Sequence, residues 1–157
     1  MSLTLRSSSF ADGRAIPKRH TGDGEDLSPP LSWSAVPPNT KELVLIVDDP
    51  DAPRSDPWVH WLICKIPGSL TELKEGVPPN ASPEYPPGAV QGNNSWGALG
   101  YRGPAPPRGH GVHHYHFKLY ALDAALDLKP GIDKHDLMNE MSGHILAHGE
   151  LVGTYQR

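Results

Sequence analysis

The segment GPAPPRGHGVHHYHFKLYALD, residues 103–123, places His110, His113, His114 and His116 where a Gly/Pro loop runs into an apolar stretch. Imidazoles titrate near neutral pH, so such a cluster can ligate a metal, act as a catalytic base or bind an anion. A second polar concentration closes the apolar run KELVLIVDD: Asp48, Asp49 and then Asp51, with Pro50 and Pro53 interspersed. His60 is the third, set between tryptophans in WVHWLICKIP. Carboxylates and imidazoles in buried segments are costly unless solvated, paired or hydrogen-bonded. The plainer readings are an Asp/Pro turn for the aspartates and a solvated strand face for the histidines of residues 110–116.

The elements that position these groups are strands. KELVLIVDD and WVHWLICKIP are continuous apolar runs, as expected of strands buried on both faces. HHYHFKLYALD alternates: His113, Tyr115, Phe117 and Leu119 share one face, while His114, His116 and Lys118 share the other. The apolar face points inward, so His113 and Tyr115 sit at its open end and His114 and His116 face solvent. His60 needs a polar partner, and Asp49 or Asp51 is nearest in sequence. If these strand ends meet, one pocket holds Asp49, Asp51, His60, His113 and Tyr115, walled by Trp and Pro.

Elsewhere, LTLRS, PLSW and ELVGTYQ read as strands and GAVQGNN as a short one. GIDKHDLMNEMSGHIL reads as the single helix, capped near Asp133, with Leu137, Met138, Met141 and Ile145 at helical spacing. The class is mainly β with a C-terminal helix. The 157 residues suit one domain, 1–157. The 16 glycines and 18 prolines stand between strongly apolar segments, which points to stiff ordered loops rather than disorder. A formal charge of -4 with no Lys/Arg block argues against nucleic acid. The lone Cys64 excludes a disulfide framework, and no apolar leader or transmembrane-length run is present, so a cytoplasmic location is expected.

DPDAP (Asp49 to Pro53), WVHW (Trp58 to Trp61) and GYRGPAPPRGHGVHHYHFKLYALD, with SPPLSW before them and GHILAHGELVGTYQR after, resemble the signatures of the phosphatidylethanolamine-binding proteins. The likeness is to the bacterial and archaeal Raf-kinase-inhibitor-like branch and spans nearly the whole chain. It implies a β-sandwich of antiparallel and mixed sheets with long Pro-rich loops and an anion pocket at one edge. It maps ligand-binding roles onto Asp49, Asp51, His60, His113 and Tyr115, and onto the Tyr101–Pro107 loop, where Gly103 lets backbone approach the ligand. Ala105 stands where many eukaryotic members have Gly, and Asp26 where Asn is common. The longer C-terminal tail of animal members is lacking, so their kinase-regulating role is not carried over.

The expected function is non-enzymatic binding of a phosphate-type anion or phosphoethanolamine-like head group, with no cofactor. Histidine donors and backbone N–H groups suit a phosphate, and aspartates suit an ammonium or hold the histidines in place. The alternative is a protein-interaction module that inhibits a kinase or protease, with the pocket as its regulatory site. Zinc is disfavoured because His113 and His114 point to opposite faces and no Cys pair or HExxH motif exists. A hydrolase is disfavoured because Ser95 in GNNSWG is not a nucleophile elbow. A calcium loop at Asp48–Asp51 lacks the Gly/Glu pattern. The resemblance allows a homodimer, although no interface signature stands out.

Overall fold

Residues 2–157 are described in a computed structural model. In chain order the strands are β1 (Thr4–Arg6), β2 (Arg14–Ala15), β3 (Leu31–Ser34), β4 (Glu42–Asp49), β5 (Trp58–Pro67), β6 (Glu72–Leu73), β7 (Val90–Gln91), β8 (His113–Leu122) and β9 (Ile145–Tyr155), with helix α1 (Lys134–Met141) between the last two. They form a six-stranded sheet, β2-β9-β8-β4-β5-β7, and a three-stranded sheet, β1-β3-β6. Only β2–β9 pairs parallel among these ladders. The fold is mainly β, as the patterning predicts.

Between the sheets lies a core of Leu5, Leu31, Trp33 and Leu73 against Leu43, Leu45, Trp61, Ile63, Phe117 and Leu119. The far face of the large sheet carries a second core, in which Val44, Ile46, Leu62 and Cys64 meet Leu126, Leu128, Leu137 and Met141. That is why β4 and β5 are apolar without interruption: each faces a core on both sides. Buried in this second core, the Cys64 thiol is pushed up to about 12 and stays protonated.

The sheet order also gathers the polar groups. β5 and β8 both run antiparallel to β4 and flank it. The end of β4 at Asp49 therefore lies at the same edge as the starts of β5 at Trp58 and β8 at His113. The β4–β5 ladder is irregular there: Val47 pairs with Trp61 and Asp48 with Val59, leaving His60 as the extra residue of a β-bulge. A bulge breaks the strict alternation of a strand.

The helix is shorter than the periodicity predicts. Asp133 caps it, accepting the Asp136 N–H at 2.8 Å. It ends at Met141, because Gly143 follows at φ +84 and Ile145 already belongs to β9. Ile145 is thus an exposed strand residue rather than part of a helical face. The short strands β2 and β6 have no periodicity to betray them. Among the described residues no helix is long and apolar enough to cross a membrane.

Leu137 is wholly buried, whereas Met138 is 37% exposed. Leu137→Ala should destabilise the fold by about 2–5 kcal/mol and Met138→Ala by less than about 1 kcal/mol, read by urea denaturation. Equal costs would mean that the helix packs on a different face.

Candidate functional site

A cavity of about 320 Å³ opens at the edge where the three strand ends meet. Asp49, His60, His113 and Tyr115 line it, with Trp58, Trp96, Arg54, Ala105, Pro106 and Pro107 among the walls.

Asp49 is 3% exposed and cannot be left bare. Its Oδ2 accepts from Nδ1 of His113 at 2.6 Å, and its Oδ1 accepts the Asp51 N–H at 2.8 Å. His113 in turn stands 2.6 Å from Nδ1 of His110 through its Nε2. Register places Tyr115 two residues along the same inward face, and it is 1% exposed. Burial pushes its phenol far above the ordinary tyrosine value, so it remains a neutral O–H donor.

His60 reaches the cavity because the bulge turns both it and Trp61 to the inner side of β5. Its partner is not a carboxylate, as nearness in sequence suggests, but the Arg102 carbonyl at 2.6 Å, while the Arg102 N–H returns to the His60 carbonyl at 3.0 Å. A carbonyl only accepts, so Nδ1 carries the hydrogen and Nε2 is the ring's free nitrogen. Burial holds His60 below the ordinary histidine value, hence neutral. Trp96 and Tyr115 pack edge-on against its ring, with centroids 5.1 and 5.0 Å away.

The Trp96 segment is pinned by Ser95. Its Oγ accepts the Val59 N–H at 2.7 Å and its own N–H donates to the Val59 carbonyl at 2.9 Å. The serine weighed as a nucleophile thus serves a structural bond.

Three expected members stand elsewhere. Asp51 turns outward and accepts both the backbone N–H and the ring Nδ1–H of His114, each at 2.7 Å. Burial works to raise Asp51, but the His114 bonds outweigh it and hold the carboxyl below its usual range. Tyr101 lies behind the wall, donating to the His20 carbonyl at 2.5 Å and packing on Trp61. Gly103 gives its N–H to Asp26 Oδ1 at 2.7 Å, so that donor is already committed. A Cβ at Gly103 would collide with the His20 carbonyl, so glycine is needed for chain packing there rather than for ligand approach. Asp26 thereby has a role: it ties the loop to the rest of the domain. In the Pro104–Pro107 run only Ala105 has an N–H, and no hydrogen bond among the described residues uses it.

Arg54 was not singled out by sequence reasoning. Its guanidinium lies 4.6 Å from the Trp58 ring centroid, at the cavity wall. The signal was the PDAPRSDPW spacing, which reads only as a turn. Among the described residues no group of three or more His, Cys, Asp or Glu is arranged to hold a metal ion.

The phosphatidylethanolamine-binding protein family model matches residues 6–156. The chain belongs to the phosphatidylethanolamine-binding protein family. A UPF0098 protein of Methanothermobacter thermautotrophicus is 52% identical over 155 residues, covering 99% of each chain. Among solved structures, a phosphatidylethanolamine-binding protein homolog from Chlamydia trachomatis superposes with TM-score 0.89 at 42% identity, covering 99% of this chain and 98% of that one. E. coli YbcL, described as a member of the mammalian PEBP family, gives TM-score 0.92 at 31% identity, covering 100% and 99%.

Two measurements follow for this family member. His114 and His116 face outward, so the His114→Gln/His116→Gln protein should lie within about 0.5 kcal/mol of the wild type in urea denaturation; a loss of several kcal/mol would show that this face is structural. His20 and His60 are both held below the ordinary histidine value by burial. As pH falls through about 6.5 the unfolded chain therefore binds more protons than the folded one, and stability is lost. Tm should decline from pH 7 to pH 5, and a flat or rising Tm would contradict buried neutral rings.

Proposed function

We propose that this cavity binds a phosphate-type anion, such as a phosphoethanolamine head group, without catalysing a reaction. The observation that carries the reading is that three residues with unspent donors line one small cavity: Tyr115 with its hydroxyl, Ala105 with its N–H and Arg54 with its guanidinium. Each can donate to phosphoryl oxygens, and the arginine adds charge. His60 and His113 stand beside them with Nδ1 tied back, so that each meets a ligand through Nε2. The volume is at the small end for ligand pockets and suits a head group better than an acyl chain. Family membership and the likeness to YbcL support the reading.

Asp49 opposes an anion, and a neutral His60 Nε2 can only accept. Protonation of His60 turns that acceptor into a donor, so affinity should rise as pH falls. Because burial holds His60 low, the gain should continue below about 6.5. Calorimetric titration with phosphoethanolamine between pH 5 and 8 tests this. His113→Ala removes one contact and leaves Asp49 buried without its ring partner, so binding should weaken by more than about 1.5–3 kcal/mol. Tyr115→Phe should cost about 0.5–1.5 kcal/mol. Equal affinity across the pH range, or full binding by His113→Ala, would refute the proposed mode.

A further inference from the structure

Both ring nitrogens of His113 are engaged. The Asp49 carboxylate has no proton to give, so the hydrogen in their 2.6 Å bond sits on His113 Nδ1. That leaves Nε2 as the only nitrogen able to meet a ligand, and His110 Nδ1 stands against it at 2.6 Å. The two rings are 4.9 Å apart between centroids. An imidazole already holds the position on His113 that an anionic oxygen would take.

The segment that presents this imidazole is lightly fastened. Gly109 and Gly111, on either side of His110, lie at φ +75 and +89, and a Cβ at either would meet nothing within 4 Å. Those glycines serve backbone conformation, not packing. His110 itself is exposed, and the following Val112 is 48% exposed. The backbone bond of His110, to the Pro107 carbonyl, is 3.2 Å long. A buried and doubly fixed ring is thus capped by an exposed one carried between two glycines.

We propose that His110 is a further residue of this site, an internal competitor that holds His113 Nε2 and yields it to an oxyanion. The inference rests on the anion-binding reading above. The exchange has a definite proton balance. With both rings neutral, His110 donates its Nδ1–H to the Nε2 lone pair of His113. A phosphoryl oxygen only accepts, so His113 must itself carry hydrogen on Nε2 once the ligand is seated. One proton is taken up from solvent, and the imidazolium so formed is balanced by Asp49 on β4. The other titratable and charged groups around the pair are His60 on β5, Tyr115 on β8, Tyr155, which pairs with His113 from β9, Asp51 in the turn after β4 and Arg54 at the cavity wall. Arg108 adds positive charge from the loop itself.

The test compares wild type, His110→Ala and His110→Asn by calorimetry with phosphoethanolamine. Alanine removes the competitor and should tighten binding about three- to tenfold, the worth of one net hydrogen bond. Asparagine keeps an N–H that reaches His113 and should stay within about twofold of wild type. Wild-type binding should also take up a proton, read as heats that differ between buffers of different ionisation enthalpy. A structural role predicts the opposite for alanine: weaker binding and a lower Tm. Unchanged or weaker binding by His110→Ala, with wild type binding normally, overturns the competitor and leaves the anion reading standing. If the wild type binds neither phosphoethanolamine nor inorganic phosphate, the anion reading fails and the competitor with it.

Discussion

A carboxylate at the end of a strand sealed on both faces has to be satisfied where it stands, and Asp49 is that carboxylate. It takes the His113 ring from β8 on one oxygen and the Asp51 N–H of its own turn on the other. The first bond sets the tautomer of His113, and the second shapes the turn that carries Pro53 and Arg54 to the cavity wall. Tyr115 follows from the same strand, since a residue two positions on must share the face. Much of the site can thus be traced to the need to pair one buried charge.

Its neighbour Asp48 solves the same problem in another way. It lies on the opposite face, 1% exposed, with Lys134 of α1 at 2.7 Å and Lys118 of β8 at 3.3 Å. Two consecutive aspartates therefore divide the strand end: one joins helix to sheet through lysines, the other lines a cavity with histidine. Lysine carries its charge at any ordinary pH, whereas histidine exchanges it near neutrality. Asp48 is thus held by permanent cations, whereas Asp49 is held by a titratable ring.

The faces of β8 were legible in the sequence because alternation alone assigns them. His113, Tyr115, Phe117 and Leu119 are buried, as the pattern required. The long strands were legible as well, since a short unbroken apolar run bounded by prolines and aspartates fits a strand covered on both faces. Partners were not. His60 bonds to a carbonyl 42 residues away, and nothing local points to Arg102. Asp51 differs from Asp49 by two positions, yet it lies in the turn, where the period no longer applies, and so it turns to His114. Gly103 looked like a place where a ligand comes close; the close neighbour is the His20 carbonyl, which only the folded chain brings there. The structure keeps His60 at the cavity and places Asp51 and Gly103, with Tyr101, away from it.

The bulge in β5 has an evolutionary consequence. A strand counts in twos, and the extra residue at His60 changes the parity of everything before it relative to everything after it. Deleting one residue between Trp58 and Ile63 would remove this irregularity and bring either the imidazole or the Trp61 indole to the wrong side, with no change in the chemistry of any residue that remains. Side-chain exchanges at this edge can accumulate one at a time, whereas a single-codon insertion or deletion would rewrite which groups see the cavity at all. The length of this short segment is inherited information, as much as its residues are.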